Sequence, residues 1–548
     1  MKRFGLTLFL LAVALPGFTQ TFDQTALESI PIQAAGRLKP LDTFARESVR
    51  FITGRETWGK RRALETLVDW MAYPDKHDDE KMIVIGEPSL RTLLGVPPGD
   101  RYVSANWLLK HEGFMPYAED AYKKQQEKKD LNDAQKEALQ VVDRVQMYRD
   151  IKSGAALVMV AIPHGENGGW ISLGDLQLFP SPEPKAGEAP ALPRQVMSAL
   201  SDTLQSYMQG NLPGYAGATR RLKDLLAQIG GKNYPDQKKI DLEVHYNHLQ
   251  PFQNTWILFL LAALLIGISA VSGARWAYLG GWAFYLGGLG LAIYGFVLRG
   301  LISGRPPVTN MYESLIWVIF GAAVFAIVFE AVYKNRTFAL AGAIIGVIGF
   351  IVADATTGVL DPGIHPLEPV LRSNYWLTIH VLTITLGYAA FLLSWMLAHG
   401  AMWIFATDRR DIDRVKKSTL WAYRAVQVGV VLLAAGTILG GVWANYSWGR
   451  FWGWDPKETW ALIALLGYIA VLHGRLSGWL RDFGFIVGVV TAFLGVLMAW
   501  YGVNFVLGAG LHSYGFSVGG TKYMIAFVVL DALVLASVAF RVKGAPKA

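Results

Sequence analysis

Three histidines stand out as candidate ligands. His380 lies in SNYWLTIHV, His473 in VLHGR and His512 in GAGLHSYGF, each in or beside a long apolar run. An ionisable side chain at membrane depth is costly, so such positions are functional candidates by default. Neutral imidazole is a good ligand for transition metals, iron among them. Between His380 and His512 runs Trp443–Trp460, WANYSWGRFWGWDPKETW, with Trp443, Trp448, Trp452, Trp454 and Trp460 in eighteen residues. Tryptophan favours the membrane–water boundary, but such a belt explains one or two per helix end. Five in one short loop, broken by Gly449 and Gly453, describe a folded aromatic shelf suited to a large planar apolar ligand.

The composition narrows the chemistry. Of 548 residues, 52% are hydrophobic and 17% charged, a membrane protein's balance concentrated in one half of the chain. Cysteine is absent, which excludes disulfides, thiol nucleophiles and thiolate metal sites. Any metal must be held by histidine or carboxylate. The formal charge of +8 lies largely in short loops between apolar runs. There it reports membrane orientation rather than nucleic-acid binding.

The elements that must position these residues follow from the hydropathy. Met1-Lys2-Arg3, the apolar run 4–18 and a polar stretch after it describe a secretory signal over 1–20, or an uncleaved anchor. Residues 21–250 read as an exported, helix-rich α+β domain. A helix is expected at 41–53, a long amphipathic helix at 118–152 and strands at 155–162 and 169–178 around the turn His164–Gly169. A Pro- and Gly-rich linker at 180–193 and two or three helices to about 248 complete it. No phosphate-binding loop or catalytic triad pattern occurs there.

From 255 to 541 a mainly α, polytopic helical bundle is expected. Apolar runs fall near 256–272, 276–298, 313–333, 338–354, 377–406, 420–443, 459–479, 484–504 and 521–541, about nine spans of a length that crosses a ~30 Å hydrocarbon core. The loop Asp408–Arg424, the loop 334–336 and the tail 541–547 are basic, which assigns them to the cytoplasmic side. An exported domain followed by nine crossings agrees. Segments 299–312, 355–376, 444–458 and 505–520 then share the outer face.

His380 and His512 would therefore reach over the tryptophan shelf from opposite sides, an axial pair for haem iron. Two polar interfacial imidazoles that only hydrogen-bond would leave the same pattern. His473 falls thirteen residues after Trp460, roughly 20 Å down its helix, beside Arg475. There it could take iron and a haem carboxylate, or both side chains could snorkel. His399 reaches similar depth; His365, His245 and His248 are outer-face histidines. Asp455, Pro456 and Glu458 spell a capping box. Arg305, Arg450 and Lys457 are outer-face cations that could meet haem carboxylates or lipid headgroups.

At these residues the chain resembles a known family. WGRFWGWDPKETWALI is similar to the WWD signature of haem-handling membrane proteins of cytochrome c maturation. RPPVTNMYES, HPLEPVLRSNYWLTIHV, VLHGR and VNFVLGAGLHSYG point to its CcsA/ResC branch, over about 300–520. The resemblance implies haem b held as substrate on the WWD loop, with His380 and His512 as the outer ligands and His473 as the transmembrane ligand. It implies presentation of the haem to CxxCH thiols of exported apocytochrome c, in the cell's inner membrane. It also implies a CcsB/ResB-type partner supplying a second transmembrane histidine, unless His399 does, and thiol-reducing proteins that act on the apocytochrome. The N-terminal part has one apolar run, not the several helices of that partner. A haem exporter, a System I-type WWD protein and a quinone-linked haem oxidoreductase are the other readings. None needs a nucleophile from this chain.

Overall fold

The computed structural model describes residues 21–162, 169–176, 191–356, 359–367, 374–408, 411–508, 510 and 520–544. The expected signal 1–20, the turn at 164–168, most of the linker and His512 lie outside the described residues. The chain divides into two compact units, Met1–Val244 and His245–Ala548.

The first unit is helical with small antiparallel hairpins. Pro31–Ala34 pairs with Arg37–Pro40, and Val160–Ile162 pairs with Gly169–Ile171. The expected helix forms over Leu41–Thr53 and ends on Gly54 in the left-handed conformation. The helix expected over 118–152 is two, Phe114–Gln126 and Asp133–Ser153. Lys128 takes φ 55° and Asn132 forms a capping box with Gln135, so the chain stops and restarts a helix inside the charged run. The strands are shorter than expected, since Leu173–Leu176 is helical. Trp70 and Tyr148, both fully buried, meet edge to face at 5.5 Å in the core.

A buried charge cluster lies beside that core. His77 is 2% exposed. Its Nδ1 lies 2.5 Å from Glu80 and its Nε2 2.8 Å from Asp69. Asp69 also meets Arg61 at 3.1 Å and accepts from the Tyr207 hydroxyl at 3.2 Å. Burial alone disfavours the imidazolium, but the two carboxylates outweigh it and raise His77 above its ordinary value. Burial likewise opposes the Asp69 carboxylate, and His77 and Arg61 override it and lower Asp69.

The second unit holds nine helices, among the described residues, that are long and apolar enough to cross a membrane. They are Pro251–Ser272, Arg275–Ser303, Met311–Tyr333, Thr337–Ala355, Leu382–Thr407, Ile412–Trp448, Pro456–Leu476, Asp482–Leu497 and Thr521–Gly544. The protein is thus a mainly α, multi-pass membrane protein with an N-terminal α+β unit. Small residues let the helices approach. A Cβ on Gly346 would fall 2.5 Å from the Phe259 ring, and one on Gly429 2.5 Å from Phe391. The sixth helix is longer than its apolar run. Asp411 caps it and nothing breaks it before Gly449, so it takes in Trp443 and Trp448. π-helical segments prolong the fifth helix at its start, Leu377–Val381, and the eighth at its end, Met498–Leu507. Such turns concentrate at functional sites and have no hydropathy signature.

One polar contact lies inside the bundle. His399 Nδ1 is 2.9 Å from the Trp395 carbonyl, which can only accept, so Nδ1 carries hydrogen. Nε2 is 2.8 Å from Asp531 of the ninth helix, 9% exposed.

Two predictions follow from these pairs. His77 is held above the ordinary imidazole value, so its contribution is complete below about pH 6.5 and fades as pH rises through its folded value. Unfolding of the full chain followed by fluorescence, with Trp58 donating to Glu80 at 2.6 Å, should shift to lower temperature as pH rises from neutral to alkaline. A His77→Gln variant should lack that slope; an equal slope in both would refute the assignment. In the bundle, Asp531→Leu or His399→Leu alone should cost roughly 3 kcal/mol or more, and the double change should recover most of it. Additive losses in detergent melts would show that the two side chains are not coupled.

Candidate functional site

A cavity of about 170 Å³ opens at one end of the bundle. There the third, fifth and seventh helices begin and the sixth ends. His380, Trp443, Trp452 and Lys457 share its lining with Tyr388 and Trp500.

His380 sits on the π-helical turn that starts the fifth helix. Its Nδ1 is 2.9 Å from the Gly436 carbonyl. A carbonyl only accepts, so Nδ1 bears the proton and Nε2 carries the lone pair. The ring stacks on Trp443 at 6.0 Å between centroids and 16° between planes. Glycines of the sixth helix make this possible. A Cβ on Gly440 would fall 2.6 Å from His380 Cε1, and one on Gly436 2.6 Å from the Ile384 Cα. Gly441 clears the Phe451 ring in the same way.

The tryptophans are not one shelf in one loop. Trp443, 5% exposed, and Trp448 lie on the last turns of the sixth helix and pack edge to face at 4.9 Å. Gly449 ends that helix at φ 71°. Trp452 and Trp454 stand perpendicular at 5.8 Å in the following turn, where Trp454 takes φ 58° and is 70% exposed. Trp460, on the seventh helix, packs into the bundle core. So Trp443 and Trp452 face the cavity, Trp448 backs Trp443, and Trp454 and Trp460 stand outside the lining.

The capping box forms as the sequence expects. Asp455 accepts from Lys457 N at 3.0 Å, and Glu458 accepts from Asp455 N at 3.2 Å and Gly453 N at 2.8 Å. Arg450 is held at 3.4 Å by Glu458 and lies over the Trp448 ring. Arg305 contacts Thr309, the His365 carbonyl and, at 3.8 Å, Glu313. Both arginines are thus engaged with the protein's own groups.

The facing wall is built by a network the hydropathy could not reveal. Arg299 and Glu313, each 1% exposed, pair at 2.8 Å. Arg299 also donates to the Pro362 carbonyl at 2.8 Å and the Tyr246 hydroxyl at 3.1 Å. Glu313 accepts from the Thr309 amide and hydroxyl, both at 2.8 Å. RPPVTNMYES marked the segment, but the role of Glu313 needed the fold.

The eighth helix's π segment closes a third side. Trp500 donates to Ser314 at 2.8 Å, and Asn504 binds the Trp500 carbonyl at 2.8 Å. A Cβ on Gly510 would fall 2.3 Å from Asp455 Oδ2, and one on Gly520 3.0 Å from the Tyr501 hydroxyl. Gly510 and Gly520, which flank His512 in sequence, therefore lie beside the seventh helix's cap and this π segment.

The remaining histidines lie elsewhere. His473 is near the far end of the seventh helix, exposed, with Nδ1 2.8 Å from the Ile469 carbonyl, so its Nε2 also carries the lone pair. Arg475 pairs with Asp482 at 2.5 Å. His399 has both ring nitrogens engaged, His365 meets Asp361 at 2.7 Å, and His245 meets the Tyr294 hydroxyl at 3.0 Å.

Residues 308–512 match the family model described as Cytochrome C assembly protein. Protein NrfI of Wolinella succinogenes is 27% identical over 500 residues, which cover 87% of this chain and 53% of NrfI. The chain thus spans about half the length of that relative, and the likeness extends well outside 308–512. Cytochrome c biogenesis protein CcsA of Prochlorococcus marinus strain NATL2A is 31% identical over 298 residues, 47% of this chain and 91% of that protein. CcsA of Synechococcus sp. strain CC9902 is 35% identical over 254 residues, 40% and 81% respectively.

The glycine contact yields a prediction. Gly440→Ala should cost roughly 1–3 kcal/mol by overpacking against His380. In the His380→Ala background the same change should cost much less, because the ring that it strikes is gone. Equal costs in both backgrounds, read from detergent melts, would show that Gly440 does not make room for His380.

Proposed function

The chain belongs to the CcsA family of cytochrome c biogenesis proteins, and from that premise we propose that it is the haem-binding membrane subunit of a System II cytochrome c synthase. The observation that carries this reading is His380 on the cavity wall. Its Nδ1 proton is committed to the Gly436 carbonyl, its ring lies along Trp443, and its Nε2 has the lone pair that iron requires. Its open mouth and aromatic walls, Trp376, Trp443, Trp452 and Trp500, suit the planar ring of haem b as a bound substrate.

In this reading His512, which lies in sequence between Gly510 and Gly520, supplies the second ligand of the outer site. His473, with Nε2 as the acceptor on an exposed face, supplies a ligand at the inner site. His399 has Nδ1 on the Trp395 carbonyl and Nε2 against the Asp531 carboxylate, so the second inner ligand comes from a CcsB/ResB-type partner. The cavity faces the outside of the inner membrane, because the opposite end carries the exposed basic residues Arg414, Lys416 and Lys417. The protein's contribution is to hold and orient the ring while thiols of an apocytochrome c, kept reduced by other proteins, add to the vinyl groups. No side chain of this chain acts as a nucleophile.

The test is an absorption spectrum of the purified protein, with and without the partner, for wild type and for His380→Ala, His512→Ala and His473→Ala. A low-spin bis-histidine spectrum in the wild type, lost or altered in the first two variants, is expected. A folded wild type free of haem in both preparations would overturn the reading and favour a scaffold or a carrier of another molecule.

A further inference from the structure

Besides the His380 imidazole, the cavity has one lysine or arginine among its described lining residues, Lys457. Its surroundings are unusual for a lysine. Its Nζ meets the side-chain oxygen of Asn504 at 3.3 Å, a neutral amide. No carboxylate of the described residues lies within ion-pair distance of it. The two nearby in sequence are spent elsewhere. Asp455 caps the backbone of the seventh helix, and Glu458 takes two backbone amides and Arg450. The other cations near this end, Arg305 and Arg450, each have an acidic partner.

Two features make that placement unfavourable in the structure as it stands. Lys457 is in the first turn of a helix, where the backbone dipole presents its positive end and disfavours a cation. It also projects into a largely apolar cavity and is half-buried, where its hydrogen-bond partner is an amide and its electrostatic compensation comes only from the Asp455 carboxylate that caps the helix. An anion arriving in the cavity would relieve both, through a charge-assisted hydrogen bond to Nζ and attraction to the helix terminus. Asn504 is itself fixed, because its amide nitrogen donates to the Trp500 carbonyl and contacts Met311 sulfur at 3.0 Å. It therefore aims Nζ rather than following it.

We propose that Lys457 is the carboxylate-binding residue of the cavity, taking an anionic edge group of the planar ligand whose iron His380 binds. The inference rests on the haem reading above and adds the group that sets the ring's rotation within the site. Haem's carboxylates share their chemistry with a free fatty acid from the membrane, so both must be tested as sources.

The experiment titrates purified full-length protein with haem, with haem dimethyl ester and with laurate, for wild type, Lys457→Met, Lys457→Arg and His380→Ala. Wild type should bind haem roughly ten- to a hundredfold tighter than the diester, the worth of a charged hydrogen bond. Lys457→Met should lose that discrimination while keeping a His380-dependent haem spectrum, and Lys457→Arg should retain most of it. Unchanged discrimination in Lys457→Met, with the His380-dependent spectrum intact, overturns the role of Lys457 alone. A site that binds haem and diester alike but loses laurate in Lys457→Met assigns the carboxylate to lipid and overturns the proposal. Absence of any His380-dependent spectrum in wild type overturns both this inference and the proposed function.

Discussion

The site depends on one buried ion pair. Arg299 and Glu313 lie at the end of the second helix and the start of the third, both essentially without solvent. A single buried charge would be prohibitive there, and losing one partner of such a pair costs roughly 3–5 kcal/mol. What makes the pair tolerable is that its remaining valences are filled by backbone: Pro362 and Gly363 carbonyls on Arg299, and the Thr309 amide on Glu313. The charges thus tie together two connecting segments that have no regular structure of their own. One carries Val308 to Met311, a wall of the cavity.

The opposite wall is held by the absence of side chains. Gly436, Gly440 and Gly441 of the sixth helix leave room for Ile384, the His380 ring and Phe451. Close helix approach also brings the Gly436 carbonyl within reach of the imidazole, which selects its tautomer. A polar wall fixed by charge and an apolar wall fixed by shape therefore face each other across the cavity. The capping box of Asp455 and Glu458 then sets the entry of the seventh helix between them, as a local rule of sequence predicts.

What the sequence made legible follows from the range of each interaction. Helix spans and caps are local, so the nine spans and the Asp455 box could be read from hydropathy and residue type. Breaks inside polar runs were harder: the positive φ of Lys128 splits a helix whose charges keep one periodicity throughout. The sixth helix's extension through Trp443 and Trp448 was missed because tryptophan content was read as loop, although Gly449 is the first strong stop. Of the candidate residues, His380, Trp443 and Trp452 share the cavity. The contacts of Arg299, Glu313 and Gly440 depend on the fold, and no spacing rule could pair them. The two π segments leave no trace in periodicity, yet one presents His380 and the other Asn504.

The distance between the two histidine sites constrains any route from one to the other. The cavity reaches down to Tyr388 on the fifth helix and Ala461 on the seventh. Below it, Phe391 and Tyr468 stack face to face at 3.7 Å between centroids, both with no exposed surface. Packing that dense leaves no gap for a planar macrocycle, and parting it would forfeit the dispersion contacts of two stacked rings. His473 lies beyond that plug but on an exposed face of the seventh helix. Under the proposed reading, then, a ligand passing from His473 to His380 follows the outside of the seventh helix rather than the bundle's interior. A surface route needs a second wall to cover the ligand's apolar faces and to supply the other axial nitrogen. Both requirements are met by a membrane partner packed along that helix, which is where the missing inner ligand would have to come from.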